Sequence, residues 1–194
     1  MKKIVFATHN RHKLDEVRII LKDYADVIGL TEIGLDEEIE ENAETLEENA
    51  LIKAKYVFEK YHLDCIADDT GLEVDALSGR PGVHSARYAG EPSDSERNVE
   101  KLLSEMNGVA NRDAQFRTII VYLENGTPKY FNGIVKGTIS TTRIGNNGFG
   151  YDPIFIPAGY SESFAEMSSE LKNKISHRAL AINKLTEYIE SKSK

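Results

Sequence analysis

Ile4, Val5, Phe6 and Ala7 form a short unbroken apolar run, the pattern of a buried strand. After Thr8-His9-Asn10 the period becomes helical, with Leu14, Val17, Ile20, Leu21 and Tyr24 on one face. Residues 27–30 predict a second strand. Leu46, Ala50, Ala54, Val57 and Tyr61 then recur at helical spacing behind Thr45-x-x-Glu48, a capping box. Cys65, Ile66 and Ala67 read as another buried strand. Thr70-Gly71 is expected to end it in a sharp turn, since glycine tolerates the backbone angles involved. Leu72, Val74 and Ala76 next alternate with Glu73 and Asp75, a half-buried strand.

In the second half of the chain, Gly79-Arg80-Pro81-Gly82 predicts a tight turn, and residues 83–88 an ordered loop or short strand. Ser93-x-x-Glu96 reads as a second capping box. It opens a helix with Val99, Leu102, Leu103 and Met106 inward, stopped at Gly108. Residues 116–123 are rich in β-branched side chains. Asn125-Gly126 follows as a hairpin signal, so residues 129–139 return antiparallel. Residues 169–174 form a short polar helix. Ser176 caps a last helix whose inward side carries Leu180, Leu185, Tyr188 and Ile189. Parallel strands early and a long hairpin late predict a mixed sheet. The first strand lacks the Gly-rich fingerprint of a dinucleotide-binding fold.

Composition narrows the class. The 194 residues are 40% hydrophobic and 29% charged, values of a globular chain that can bury a substantial core. The formal net charge of -8 opposes broad binding to nucleic acid or to an anionic membrane. The one cysteine, Cys65, cannot form an internal disulfide and sits in an apolar run, which suits a structural thiol in a reducing cytosol. The apolar run after Lys2-Lys3 is too short for a signal peptide or a membrane span. A soluble, cytoplasmic protein of a single domain over 1–194 is expected.

Candidate chemistry collects at several places. Thr8, Asn10 and Lys13 lie where a strand passes through a polar loop into a helix, whose free N–H groups and positive dipole suit a phosphate. Asp68 and Asp69 are adjacent carboxylates at the carboxyl end of a buried strand. Glu40 and Glu41 belong to an acidic run and have no structural duty of their own, which leaves both open as metal ligands. Lys53, on the helix after that run, could reach a phosphate. The stretch Gly148-Phe149-Gly150-Tyr151-Asp152-Pro153 lets backbone approach a flat ligand and offers aromatic faces and an acceptor. Lys172, Lys174, His177 and Arg178 gather basic groups at a helix start, against the helix dipole. Paired Cys and His spacing for zinc is absent.

Six stretches carry a family resemblance, in order along nearly the whole chain. They are Ala7-Thr8-His9-Asn10-x-x-Lys13, Glu48-Asn49-Ala50-x-x-Lys53-Ala54, Ala67-Asp68-Asp69-Thr70-Gly71-Leu72, Pro81-Gly82-x-x-Ser85-Ala86-Arg87, Gly148 to Pro153, and Ser176-His177-Arg178. Together the chain resembles the inosine triphosphate pyrophosphatase family, with His9 in place of a common glycine. The resemblance implies an α/β fold with a long mixed β-sheet flanked by helices, two lobes with a central cleft, and a homodimer. It implies hydrolysis of ITP, dITP or XTP to the monophosphate and pyrophosphate with Mg²⁺. Carried onto these positions, it implies that Thr8, Asn10, Lys13 and Lys53 hold the triphosphate. Glu40 and Asp69 hold Mg²⁺, with Asp69 also activating water, and Thr70 contacts substrate. Phe149, Gly150, Tyr151 and Asp152 cradle base and sugar; Lys172, His177 and Arg178 complete the base pocket.

Overall fold

The computed structural model describes residues 2–192. Its strands are β1 (Lys2–Phe6), β2 (Ala25–Gly29), β3 (Cys65–Val74), β4 (Pro81–Gly82), β5 (Asp113–Glu124), β6 (Thr127–Ile139) and β7 (Phe155–Pro157). Its helices are α1 (Arg11–Leu21), α2 (Leu46–Tyr61), α3 (Ser95–Glu105), α4 (Ser169–Ile175) and α5 (His177–Lys192). One sheet runs in the order β2-β1-β3-β5-β6-β7, with β4 added to β3. β1 pairs parallel to both β2 and β3, whereas β4 on β3 and β7 on β6 are antiparallel. The mixed α/β sheet expected from the sequence is what forms.

The chain divides into two compact units. The first comprises residues 1–69, 118–133 and 178–194, the second residues 70–117 and 134–177. Each has its own core. In the first, Ile4 and Phe6 of β1, Val17 and Leu21 of α1, Ile66, Ile120 and Tyr122 pack with Ala181, Ile182 and Leu185 of α5. In the second, Leu72, Val74, Val99, Leu102, Phe116, Phe155 and Phe164 pack together with Tyr151. Burying such side chains is worth about 1.5–3 kcal/mol each.

Local signals explain most element ends. Glu48 N–H donates to Thr45 Oγ1 at 3.2 Å, and the hydroxyl in turn donates to the Glu48 carboxylate at 2.9 Å, which starts α2. Asn125 and Gly126 both have positive φ, 48° and 76°, as a two-residue hairpin turn between β5 and β6 demands.

Three expectations are corrected. α3 is capped by Asp94, whose carboxylate accepts from the N–H groups of Glu96 and Arg97; Ser93 instead donates to Ala86 O. Leu180 is exposed, and Ala181 and Ile182 fill the inward side of α5 beside Leu185. The third correction matters most. No turn interrupts residues 70–71, because β3 runs unbroken from Cys65 to Val74. Gly71 serves close approach instead: a Cβ there would lie 2.7 Å from Gly82 O on β4. Gly71→Ala should therefore force β3 and β4 apart and cost about 1–3 kcal/mol. An unchanged urea midpoint would show that the approach is not needed.

Candidate functional site

In the first unit, β1 delivers the chain into Thr8-His9-Asn10 and then α1. Asn10 is the N-cap: its side-chain oxygen accepts from Lys13 N–H at 3.2 Å, while Thr8 Oγ1 accepts from Asn10 N–H at 3.1 Å. Thr8 and Asn10 thus shape an accessible loop at the positive end of a helix. Lys13, on the first turn, swings its ammonium inward and donates to Asp68 Oδ1 at 3.0 Å.

Because β3 continues straight through, Asp68 and Asp69 project to opposite faces of the strand. Asp68 is 1% exposed and accepts from Lys13 and, at 3.1 Å, from Arg178 Nε. Arg178, 2% exposed, also donates through Nη1 to Glu16. Burial alone would push the Asp68 carboxyl up, but the charges of Lys13, Arg178 and Lys53 outweigh it and hold the group below the usual carboxylate range. Asp69 meets a different environment. It accepts from Asn49 Nδ2 at 3.2 Å, and burial raises its pKa to about 6, with the charges of Glu41 and Asp68 adding to the rise and Lys53 and Lys13 opposing it. One aspartate is committed to ion pairs, and its neighbour is met by an amide.

The acidic segment after residue 35 has neither helix nor strand up to Ala43. It brings Glu41 to Lys53, whose Nζ donates to Glu41 Oε2 at 2.7 Å. Burial would lower the Lys53 pKa, yet Glu41, Asp69 and Asp68 raise it, so the buried ammonium stays charged. Glu40 is exposed, so of the two open candidates it is Glu41 that sits with Lys53 and Asp69. Among the described residues no three His, Cys, Asp or Glu side chains gather as a metal cage. Mg²⁺ asks for less: one or two carboxylates, with phosphates and water completing the octahedron. Asp69 and Glu41 fit that demand, since a divalent cation would offset the burial that chiefly raises Asp69 and the repulsion from Glu41 that adds to it.

In the second unit, Asp152 organises the loop from Gly148. Its Oδ2 accepts from Phe149 N–H at 2.8 Å and from Lys172 Nζ at 2.7 Å, and a Cβ on Gly148 would fall 2.1 Å from the same oxygen. Lys172 also lies 4.7 Å from the centre of the Phe149 ring, a cation–π contact. Gly150 has a φ of 63°, and Phe149 is half-buried. Tyr151 is buried in the core, where its hydroxyl donates to Ser85 O at 2.8 Å. His177 stacks on Phe116 with ring centres 4.5 Å apart. Thr70 is half-buried on β3.

The basic residues near residue 175 fall on both sides of the division between the units. Lys172 and His177 belong to the second unit and Arg178 to the first. Lys174 is exposed and pairs with Glu170. Two contributors escaped the reading of the sequence. Glu16 is one turn beyond Lys13, a spacing that puts both on one face of α1. Asn49 is one turn before Lys53 on α2, on the face that meets the acidic run. Helical spacing from a named lysine was the available signal for both.

Among the described residues no helix is long and apolar enough to cross a membrane. The Ham1 family model matches residues 4–188. A dITP/XTP pyrophosphatase of Porphyromonas gingivalis is 52% identical over 190 residues, covering 97% of this chain and 98% of that protein. The Ham1 protein of Staphylococcus aureus superposes with a TM-score of 0.89 at 42% identity, covering 98% of this chain and 100% of the other. A HAM1 protein from Coxiella burnetii gives 0.90 at 36% identity, with 98% and 100% coverage. With nearly every residue of the chain inside these matches, it belongs to the Ham1 family.

Proposed function

We propose that this protein is a Mg²⁺-dependent nucleoside triphosphate pyrophosphatase that hydrolyses dITP, ITP and XTP to the monophosphate and pyrophosphate. The observation that carries the reading is the unequal pair on β3. Asp68 is paired with Lys13 and Arg178, while Asp69 faces the amide of Asn49 on the helix whose Lys53 holds Glu41. A carboxylate within hydrogen-bond reach of the attacking water can take its proton. The kinship with proteins named dITP/XTP pyrophosphatase supplies the substrate class.

Thr8 and Asn10 present hydroxyl, amide and backbone donors to phosphate oxygens at the start of α1, and Lys13 and Lys53 add fixed positive charge. Attack at the α-phosphorus makes pyrophosphate the leaving group, so those cations stabilise the charge that develops on it. Bound at Asp69 and Glu41, Mg²⁺ would supply Lewis acidity to the same phosphates. Asp69 takes the proton of the attacking water, and Asn49 keeps its carboxylate oriented. Thr70 contacts the substrate from the next residue of β3.

Phe149, Gly150, Tyr151 and Asp152 receive base and sugar, with Phe149 as the stacking face. Lys172, His177 and Arg178 read the purine. Hypoxanthine and xanthine carry an oxygen at C6 where adenine carries an amino group. Adenine would leave buried donors facing another donor, at about 1–3 kcal/mol for each lost partner. The resemblance also carries a cytoplasmic homodimer, built of a single domain over 1–194, with no nucleic-acid partner.

The test is pyrophosphate release from dITP, dATP, dGTP and UTP, with and without Mg²⁺. Hydrolysis of dITP should exceed that of dATP by about 10⁴-fold and should stop in chelator. Equal rates on dITP and dATP would remove the specificity. Preference for UTP would move the protein to pyrimidine substrates.

A further inference from the structure

The acidic segment that carries Glu41 has no regular hydrogen-bonding pattern to hold it, yet it is pinned at three points by one helix. Glu37 accepts from Tyr56 and Lys60, Glu41 accepts from Lys53, and Ala43 N–H donates to Asn49 Oδ1 at 3.0 Å. Asn49, Lys53, Tyr56 and Lys60 are spaced i, i+4, i+7 and i+11, so they form one stripe along α2. The segment runs antiparallel along that stripe. His9 adds a tie from the other side, with its Nε2 2.9 Å from Glu37 O.

Asn49 stands at the end of the stripe and does more than hold the segment. It is 1% exposed, and while its oxygen accepts from Ala43, its Nδ2 donates to Asp69 Oδ2 at 3.2 Å. One buried amide thereby joins the backbone two residues beyond Glu41 to the carboxylate on β3. Lys53, one turn along the same helix, grips Glu41 itself. A helix changes its length very little, so α2 acts as a ruler between the two carboxylates.

We infer that Asn49 is a positioning residue that sets the spacing and orientation of Asp69 relative to Glu41, and thereby the affinity for the divalent cation. This rests on the function proposed above. An amide at this place does not touch the cation; it orients a group that does. Partners of that kind change metal affinity by about 10–100-fold when removed.

The experiment measures Mn²⁺ binding by electron paramagnetic resonance, in the presence of a non-hydrolysable dITP analogue, for wild type, Asn49→Ala and Asn49→Ser. Serine leaves room for a water to bridge to Ala43 and serves if the alanine variant does not fold. A folded variant should bind Mn²⁺ about 10-fold or more weakly. Its half-saturating Mg²⁺ for dITP turnover should rise in step, a change that simple loss of folded protein would not produce. A folded variant with unaltered Mn²⁺ affinity overturns the inference. Failure of the wild type to bind Mn²⁺ or to turn over dITP would instead strike the proposed function.

Discussion

Asp69→Asn is expected to lower kcat on dITP by about 10²–10⁴-fold, the contribution of a positioned general base, while making the metal-free protein more stable at pH 8. The two effects share one cause. In the folded protein the Asp69 carboxyl has a pKa near 6, above the ordinary 3.8, chiefly because burial penalises its charge. The folded state therefore holds this proton more tightly than the unfolded chain does. Its contribution favours folding below about pH 4 and is lost as pH rises through 6. Above that, ionisation costs the fold up to about 3 kcal/mol at about 1.4 kcal/mol per pKa unit. Asparagine has the same shape, still accepts from Asn49, and never ionises. Urea midpoints in chelator should thus lie above wild type at pH 8 and converge with it near pH 4. Near-normal turnover, or a variant less stable than wild type at pH 8, would refute the role given to Asp69.

Asp68→Ala should do the opposite. It removes the carboxylate that meets both Lys13 and Arg178, and takes one ion-pair partner from a guanidinium of 2% exposure that Glu16 also meets. Breaking a buried ion pair from one side costs about 3–5 kcal/mol, since the remaining charge stays buried. For a chain of this size that corresponds to a fall of roughly 10 °C in Tm. The pH dependence is also reversed. The Asp68 carboxyl lies below its ordinary value, so its contribution is present above pH 4 and is lost as pH falls. The gap between wild type and Asp68→Ala should therefore close in acid. A variant that unfolds within about 1 kcal/mol of wild type at pH 7 would mean that Arg178 is satisfied without Asp68.

These two neighbours also show where the sequence was legible. Strands, helices and the hairpin follow from short-range rules, as Thr45 starting α2 and Asn125-Gly126 turning β5 into β6 demonstrate. The same rules read Thr70-Gly71 as a turn. A glycine demanded by a neighbouring strand leaves the same letter in the sequence as a glycine demanded by a bend, and only the position of Gly82 separates them. Leu180 was assigned inward because its apolar character outranks alanine, yet the core has room for Ala181 and Ile182.

The candidate residues could be named as a set from six ordered stretches of sequence. Their individual duties could not. Glu40 and Glu41 are equivalent on paper, and the ion pair of Glu41 with Lys53, twelve residues further on, appears only in the folded chain. The division of labour between Asp68 and Asp69 depends on Arg178, 110 residues away from Asp68. Long-range pairing of this kind has no local periodicity to betray it.

The first unit is stitched from three separate stretches, and the last of them brings both Leu185 to the core and Arg178 to Asp68. During synthesis on the ribosome, β1, α1 and the first half of β3 must wait for α5 to emerge before their apolar faces are covered. The second unit needs nothing beyond residue 177, so the unit that begins later along the chain has all its residues first.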